Sequence, residues 1–214
     1  MSKTVLLTGF EPFNKETINP AWEAVRALDG WTGEGFVVAV CQLPCVFGDA
    51  NRAIQAEIAR VRPDLVIAVG QAGGRVDMSV ERVAINVDDA PIPDNAQRQL
   101  VDEAVVVDGP VAYFSTLPIK AIVGALRAAG LPASVSQTAG TFVCNHVFYG
   151  LMHHTAGMPV KAGFIHIPYL PEQAARFPGA ASMALADLVR GLKLAVEVCM
   201  STGTDLRLGA GQTH

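Results

Sequence analysis

Leu65-Val66-Ile67-Ala68-Val69-Gly70-Gln71-Ala72-Gly73-Gly74-Arg75 is the stretch whose reading decides the fold. An unbroken apolar run rich in β-branched residues predicts a strand buried on both faces, as in a parallel sheet covered by helices. The strand empties into a glycine-rich turn. Upstream, Ile54, Ile58 and Val61 recur at helical spacing from Asp49 onward, with Glu57 and Arg60 toward solvent, and Pro63 ends that pattern. Helix, buried strand and tight turn in succession are the unit of an α/β protein.

The unit recurs in both directions. Val5 to Leu7 reads as a first strand running into Thr8-Gly9-Phe10-Glu11-Pro12-Phe13. A helix follows, capped by Asn19 with Pro20 at its first position and stopped by Asp29-Gly30. Phe36 to Cys41, Ala133 to Ser136 and Val160 to Ile167 read as further strands; Val80 to Val87 alternates in part, and Val105 to Val107 is a candidate short strand. Helices are predicted from Leu117-Pro118-Ile119 to Leu126, after Gly140-Thr141, and within Ala180 to Met200, with a frayed tail after Thr202. The expected fold is α/β: one domain over residues 1–214, a sandwich around a mixed, mainly parallel sheet.

Composition narrows the function. Of 214 residues, 50% are hydrophobic and 17% charged, and the formal net charge is −4 without a basic run. That balance argues against nucleic acid as a partner and suits apolar surface buried between subunits. The N-terminal apolar run is short and broken by Gly9, so it reads as a strand and not as a signal peptide. No apolar run reaches membrane-spanning length, so the expected location is the cytoplasm. Cys41, Cys45, Cys144 and Cys199 lack the spacing of a metal site or a disulfide framework. The turn from Gly70 to Gly74 fits neither the dinucleotide fingerprint nor the phosphate loop of nucleotide hydrolases; its expected use is to present backbone N–H and C=O, with the Gln71 amide at its rim, to a small ligand.

The chemistry concentrates at Gly140-Thr141-Phe142-Val143-Cys144-Asn145-His146, where an irregular segment passes into a helix-period run. A thiol in the first turn of a helix meets unpaired N–H groups and the positive end of the helix dipole, which favour thiolate. Two readings stand: a buried structural cysteine, or a nucleophile with Phe142 and Val143 walling an apolar pocket beside the sulfur. A nucleophile needs a base. His146 lies two positions away and faces elsewhere on a helix; His153 and His154 suit the helix end, and His214 is terminal. His166, in an otherwise apolar strand, is left as the partner, with a satisfied core histidine as the alternative. Phe10, Phe13 and Asn19, on a strand-to-helix loop, are pocket candidates. Asp88-Asp89 and the prolines Pro91 and Pro93 form a stiff loop that would act as a partial lid.

Taken together, five blocks resemble the pyroglutamyl peptidases (pyrrolidone-carboxylate peptidases), a family of cysteine peptidases. They are Leu7-Thr8-Gly9-Phe10-Glu11-Pro12-Phe13, Gly70 to Arg75, Glu81-Arg82-Val83-Ala84-Ile85-Asn86, Gly140 to Asn145, and Phe164-Ile165-His166-Ile167-Pro168. The resemblance implies a triad of Cys144, His166 and Glu81, the last a residue that local sequence alone would leave on the surface. It also implies removal of N-terminal pyroglutamyl residues from peptides, no metal or organic cofactor, an α/β/α sandwich, and assembly into dimers or tetramers. The substrate pocket it implies consists of Phe10, Phe13, Asn19, Gln71, Ile92, Phe142 and Val143. One position departs: Pro91 stands where many bacterial members carry an arginine near the developing oxyanion, leaving backbone N–H groups at Cys144, or Arg75 or Arg82, as replacements. Competing readings are an amidohydrolase of another small cyclic or acylated amide, a metabolite-binding protein without catalysis, and a nucleoside or sugar-phosphate enzyme.

Overall fold

The computed structural model describes residues 2–211. Strand β1 (Lys3–Phe10) leads to α1 (Pro20–Arg26), whose cap is formed as the sequence predicts: the Asn19 side-chain Oδ1 accepts from Ala21 N–H. A short β2 (Thr32–Gly33) precedes β3 (Phe36–Leu43), α2 (Asp49–Val61) and β4 (Leu65–Gln71). Then come β5 (Met78–Glu81), β6 (Val83–Ile85), β7 (Ala112–Phe114), α3 (Ile119–Ala128), β8 (Ala133–Ser136), α4 (Val143–Thr155), β9 (Lys161–Ile167), the short α5 (Pro171–Ala174) and α6 (Leu185–Ser201).

Seven strands form one sheet in the order β2-β3-β1-β4-β9-β5-β8. The four strands β3, β1, β4 and β9 are mutually parallel; β5 runs antiparallel to β9 and parallel to β8. The expected mixed, mainly parallel sheet is therefore present. Alternation assigns its two faces. Ile67, Val69, Ile165 and Ile167 pack with α1, α3 and α6, whereas Val66, Ala68, Ala162 and Phe164 pack with α2 and α4. Both faces are covered, which is why β4 reads as a continuous apolar run.

Three expectations need correction. Val105 to Val107 is not a strand: the Asn86 side chain accepts from Val106 N–H and donates to Val106 C=O, so the backbone groups that a strand partner would use are already satisfied. The segment Val80 to Val87 is two strands, split at Arg82, where the chain leaves the large sheet and forms a two-stranded ribbon with β7. The tail after Thr202 is tied down. The Asp205 carboxylate accepts from Lys120 and Ala121 N–H at the start of α3, where the preceding Pro118 offers no side-chain cap. His214 lies outside the described residues.

Candidate active site

Register brings the candidate residues onto one face of the sheet. Gly70 and His166 are paired across β4 and β9, and His166 is also opposite Ser79 on β5. Glu81 lies two residues beyond Ser79 and so projects to the same side. Its Oε1 accepts from His166 Nδ1 at 2.7 Å, and both side chains are buried. A carboxylate only accepts, so Nδ1 carries the proton and the Nε2 lone pair faces away from Glu81. The same Oε1 accepts from Arg75 Nη1 at 2.7 Å, while Arg75 Nη2 donates to the Thr138 carbonyl at 2.6 Å.

Cys144 reaches this face from α4, where it is the second helical residue. Its Sγ lies over Gly70: a Cβ built there would be 2.8 Å from the sulfur and 2.7 Å from Phe164 Cζ. The thiol thus takes the space of a missing side chain on the strand next to His166, about one strand spacing (~4.8 Å) across at backbone level. No side chain caps α4, whose first-turn N–H groups therefore have no side-chain partner at that end.

Desolvation works against the expected bias toward thiolate. Burial pushes the Cys144 thiol up to about 12, the Glu81 charge adds to the rise, and Arg75 opposes it. Burial likewise lowers His166 below the ordinary 6.5, against the hydrogen bond and charge of Glu81, with Arg75 adding to the lowering. Both directions favour a thiol beside a neutral imidazole.

The remaining pocket candidates divide by role. Phe13 and Phe142 are partly exposed with ring centroids 6.1 Å apart, and Phe142 stands edge-on to Phe47. Val143 is buried beside Cys144, and Ile92 is partly exposed on the proline loop. Phe10 is buried and packs on Phe164. Asn19 uses both ends of its amide, capping α1 and donating to the Glu11 carbonyl, so it shapes the loop that carries Phe13. Gln71 is partly exposed, and its Oε1 accepts from Gln173 at 3.3 Å. A hollow of about 560 Å³ between Glu34, Phe36, Glu197, Met200 and Ser201 touches none of these groups.

The loop after β6 is fixed to the segment that leads into Cys144. Asp89 N–H donates to the Thr141 carbonyl, and Thr141 Oγ1 donates to the Asp89 carbonyl. Asn145, fully buried next to Cys144, pairs with Ile85 N–H and with the Ile85 and Val87 carbonyls. Pro91 is exposed. His146 points away from the sulfur: its Nδ1 bonds Asp88 at 2.7 Å and its Nε2 accepts from Gly48 N–H. Arg75, left open as an oxyanion group from sequence, has both terminal nitrogens engaged elsewhere. Its pairing with Glu81 is the contact that sequence reasoning missed.

The sequence matches the pyroglutamyl peptidase family over residues 3–202. The chain belongs to that family. A pyrrolidone-carboxylate peptidase of Cupriavidus taiwanensis is 66% identical over 214 residues, 99% of each chain. Among solved structures, the pyroglutamyl peptidase I of Bacillus amyloliquefaciens superposes with a TM-score of 0.95 at 45% identity, covering 98% of this chain and 100% of its own. A mutant pyrrolidone carboxyl peptidase from the hyperthermophile Pyrococcus furiosus gives a TM-score of 0.90 at 42% identity, covering 92% and 98%. Pyroglutamyl peptidases thus share the α/β/α arrangement seen here, with helices on both faces of a mainly parallel sheet.

Proposed function

We propose that this chain hydrolyses the amide bond after an N-terminal pyroglutamyl residue, with Cys144 as nucleophile, His166 as general acid and base, and Glu81 as the group that orients His166. The observation that carries the assignment is the 2.7 Å Glu81–His166 hydrogen bond beside a thiol seated on Gly70. Glu81 fixes the Nδ1–H tautomer, leaving Nε2 to take the proton from the thiol as sulfur attacks the substrate carbonyl. The carbonyl C=O becomes a C–O⁻ single bond. The first-turn N–H groups of α4 beside Cys144 are positioned to stabilise it, the task for which Arg75 is not free. Collapse of this intermediate breaks the C–N bond, and His166 returns the proton to the leaving amine. Water, deprotonated by His166, then attacks the thioester; the C–S bond breaks, and free pyroglutamate and the thiol are restored.

A flat, uncharged five-membered lactam suits the apolar surface that the paired rings of Phe13 and Phe142 present, with Phe10, Ile92 and Val143 supplying its apolar surroundings and Gln71 its polar rim. A free N-terminal amine arrives charged with no carboxylate to meet it, so ordinary aminopeptidase action is disfavoured. Four free cysteines suit a reducing compartment such as the cytoplasm. Exposed Val107, Val111 and Phe114, close together in sequence around β7, favour self-association. No helix among the described residues is long and apolar enough to cross a membrane.

The test is hydrolysis of a pyroglutamyl amide with a chromogenic leaving group by the wild type and by Cys144→Ala. Wild-type turnover that disappears in the variant is expected. Turnover surviving the substitution would sink the mechanism, and an inactive, reduced wild type would favour a binding protein.

A further inference from the structure

We infer that Arg75 is a positioning residue for the reaction, a cationic second donor that holds the Glu81 carboxylate in the orientation His166 needs. The inference rests on the triad reading above. Glu81 is completely buried, yet its donors converge on one oxygen: Arg75 Nη1 and His166 Nδ1 both lie 2.7 Å from Oε1, and Oε2 has no partner among the described residues. A carboxylate held by one imidazole alone is free to rotate about its last bond and to present either oxygen. Two donors on one oxygen remove that freedom.

Arg75 is itself anchored, because Nη2 donates to the Thr138 carbonyl at 2.6 Å, on the segment that leads to Gly140 and Cys144. A planar fork bridges the two acceptors, a geometry the single nitrogen of lysine does not reproduce. The charged and titratable groups around the imidazole are then Glu81, Arg75 and Cys144. The positive charge of Arg75 favours neutral His166, the form that takes the thiol proton, and opposes the rise of the Cys144 thiol, easing that transfer.

Arg75 also faces outward. It lines an open hollow of about 360 Å³ with Asp77, Ser79, Ser136 and Thr138, so removal of its side chain leaves a guanidinium-sized gap that solvent reaches. This permits a rescue experiment. Arg75→Ala and Arg75→Lys are assayed with the chromogenic pyroglutamyl amide across pH, with and without guanidinium at millimolar, non-denaturing concentration. Loss of a group that orients a general base is expected to lower kcat of Arg75→Ala by about 10- to 100-fold with KM changed less than about threefold, since acid–base catalysis as a whole is worth roughly 10²–10⁴-fold. The acid limb of kcat/KM should move to higher pH, and guanidinium should recover activity several-fold. Arg75→Lys should fall between the two, keeping the charge and losing the fork.

An Arg75→Ala enzyme with the wild-type rate and pH profile overturns the inference. So does a loss that is uniform with pH and untouched by guanidinium, which marks a role in folding alone. Should the alanine variant fail to fold, a lysine variant with wild-type kcat overturns it equally. A wild type that does not cleave the pyroglutamyl amide removes the triad reading first, and is distinguished from these outcomes by the missing parent activity.

Discussion

Cys144 Sγ lies 2.8 Å from the point where a Cβ on Gly70 would stand. The glycine is required by that close approach. Its backbone belongs to an ordinary strand without positive φ. A methyl group at residue 70 would meet Phe164 at 2.7 and 2.9 Å as well, and that ring is buried against Phe10, Phe148 and His166. The sulfur is the part able to move. Gly70→Ala is therefore expected to lower kcat at least about tenfold and to cost about 1–3 kcal/mol of stability through overpacking. Steady-state kinetics beside denaturant unfolding check it, and an alanine variant with full activity would show that the thiol has room to spare.

Much of this arrangement was legible from sequence because buried strands announce themselves. The apolar run before Gly70, the capped helix after Asn19 and the odd histidine among isoleucines each mark an element whose neighbours cover it. Glu81 was not legible locally. Its burial follows from the pairing of β5 with both β9 and β8, and such long-range partners leave no trace in the alternation of one strand. The split at Arg82, the tail capping α3 and the Arg75–Glu81 pair were missed for the same reason. Desolvation of Cys144, which works against the thiolate, was likewise not legible, because the helix end is a local feature and burial a tertiary one.

The pH dependence follows from the directions at the site. A histidine whose pKa is lowered by burial stays neutral to lower pH than a free one, so the acid limb of kcat/KM should lie below 6.5. A thiol raised to about 12 supplies no reservoir of thiolate at neutral pH. Alkylation of Cys144 by iodoacetamide should accordingly show no plateau between about pH 4 and 7, where a preformed thiolate–imidazolium pair would give one. A plateau there would overturn the general-base description and restore the ion pair. Apparent values from either experiment belong to Cys144 and His166 jointly.

His146 and His166 should separate cleanly by mutation. Each donates Nδ1–H to a buried carboxylate at 2.7 Å, but the other nitrogen of His146 is occupied by Gly48 N–H. His166→Ala is expected to abolish turnover. His146→Ala leaves the buried Asp88 carboxylate and the Gly48 N–H without the imidazole, and should cost about 3 kcal/mol, the upper end for leaving buried polar groups unpaired. Its folded fraction should keep kcat within about tenfold of wild type. Denaturant titration and active-site titration by stoichiometric alkylation distinguish loss of folded protein from loss of chemistry; a fully stable, inactive His146→Ala would place that ring in the reaction.

The C-terminal segment offers a change in stability without a change in chemistry. Asp205 accepts from Lys120 and Ala121 N–H, satisfying donors that α3 cannot pair within itself. Its negative charge also sits at the positive end of that helix. Asp205→Ala should lower stability by about 1–2 kcal/mol, the usual loss of a helix cap, and leave kcat and KM of the pyroglutamyl amide unchanged because α3 packs on the sheet face opposite α4. Asp205→Asn retains an acceptor without the charge and should lose less. Thermal unfolding of the two variants orders the contributions: equal losses in both would assign the effect to charge, and no loss in either would mean that water caps α3 as well as the tail does.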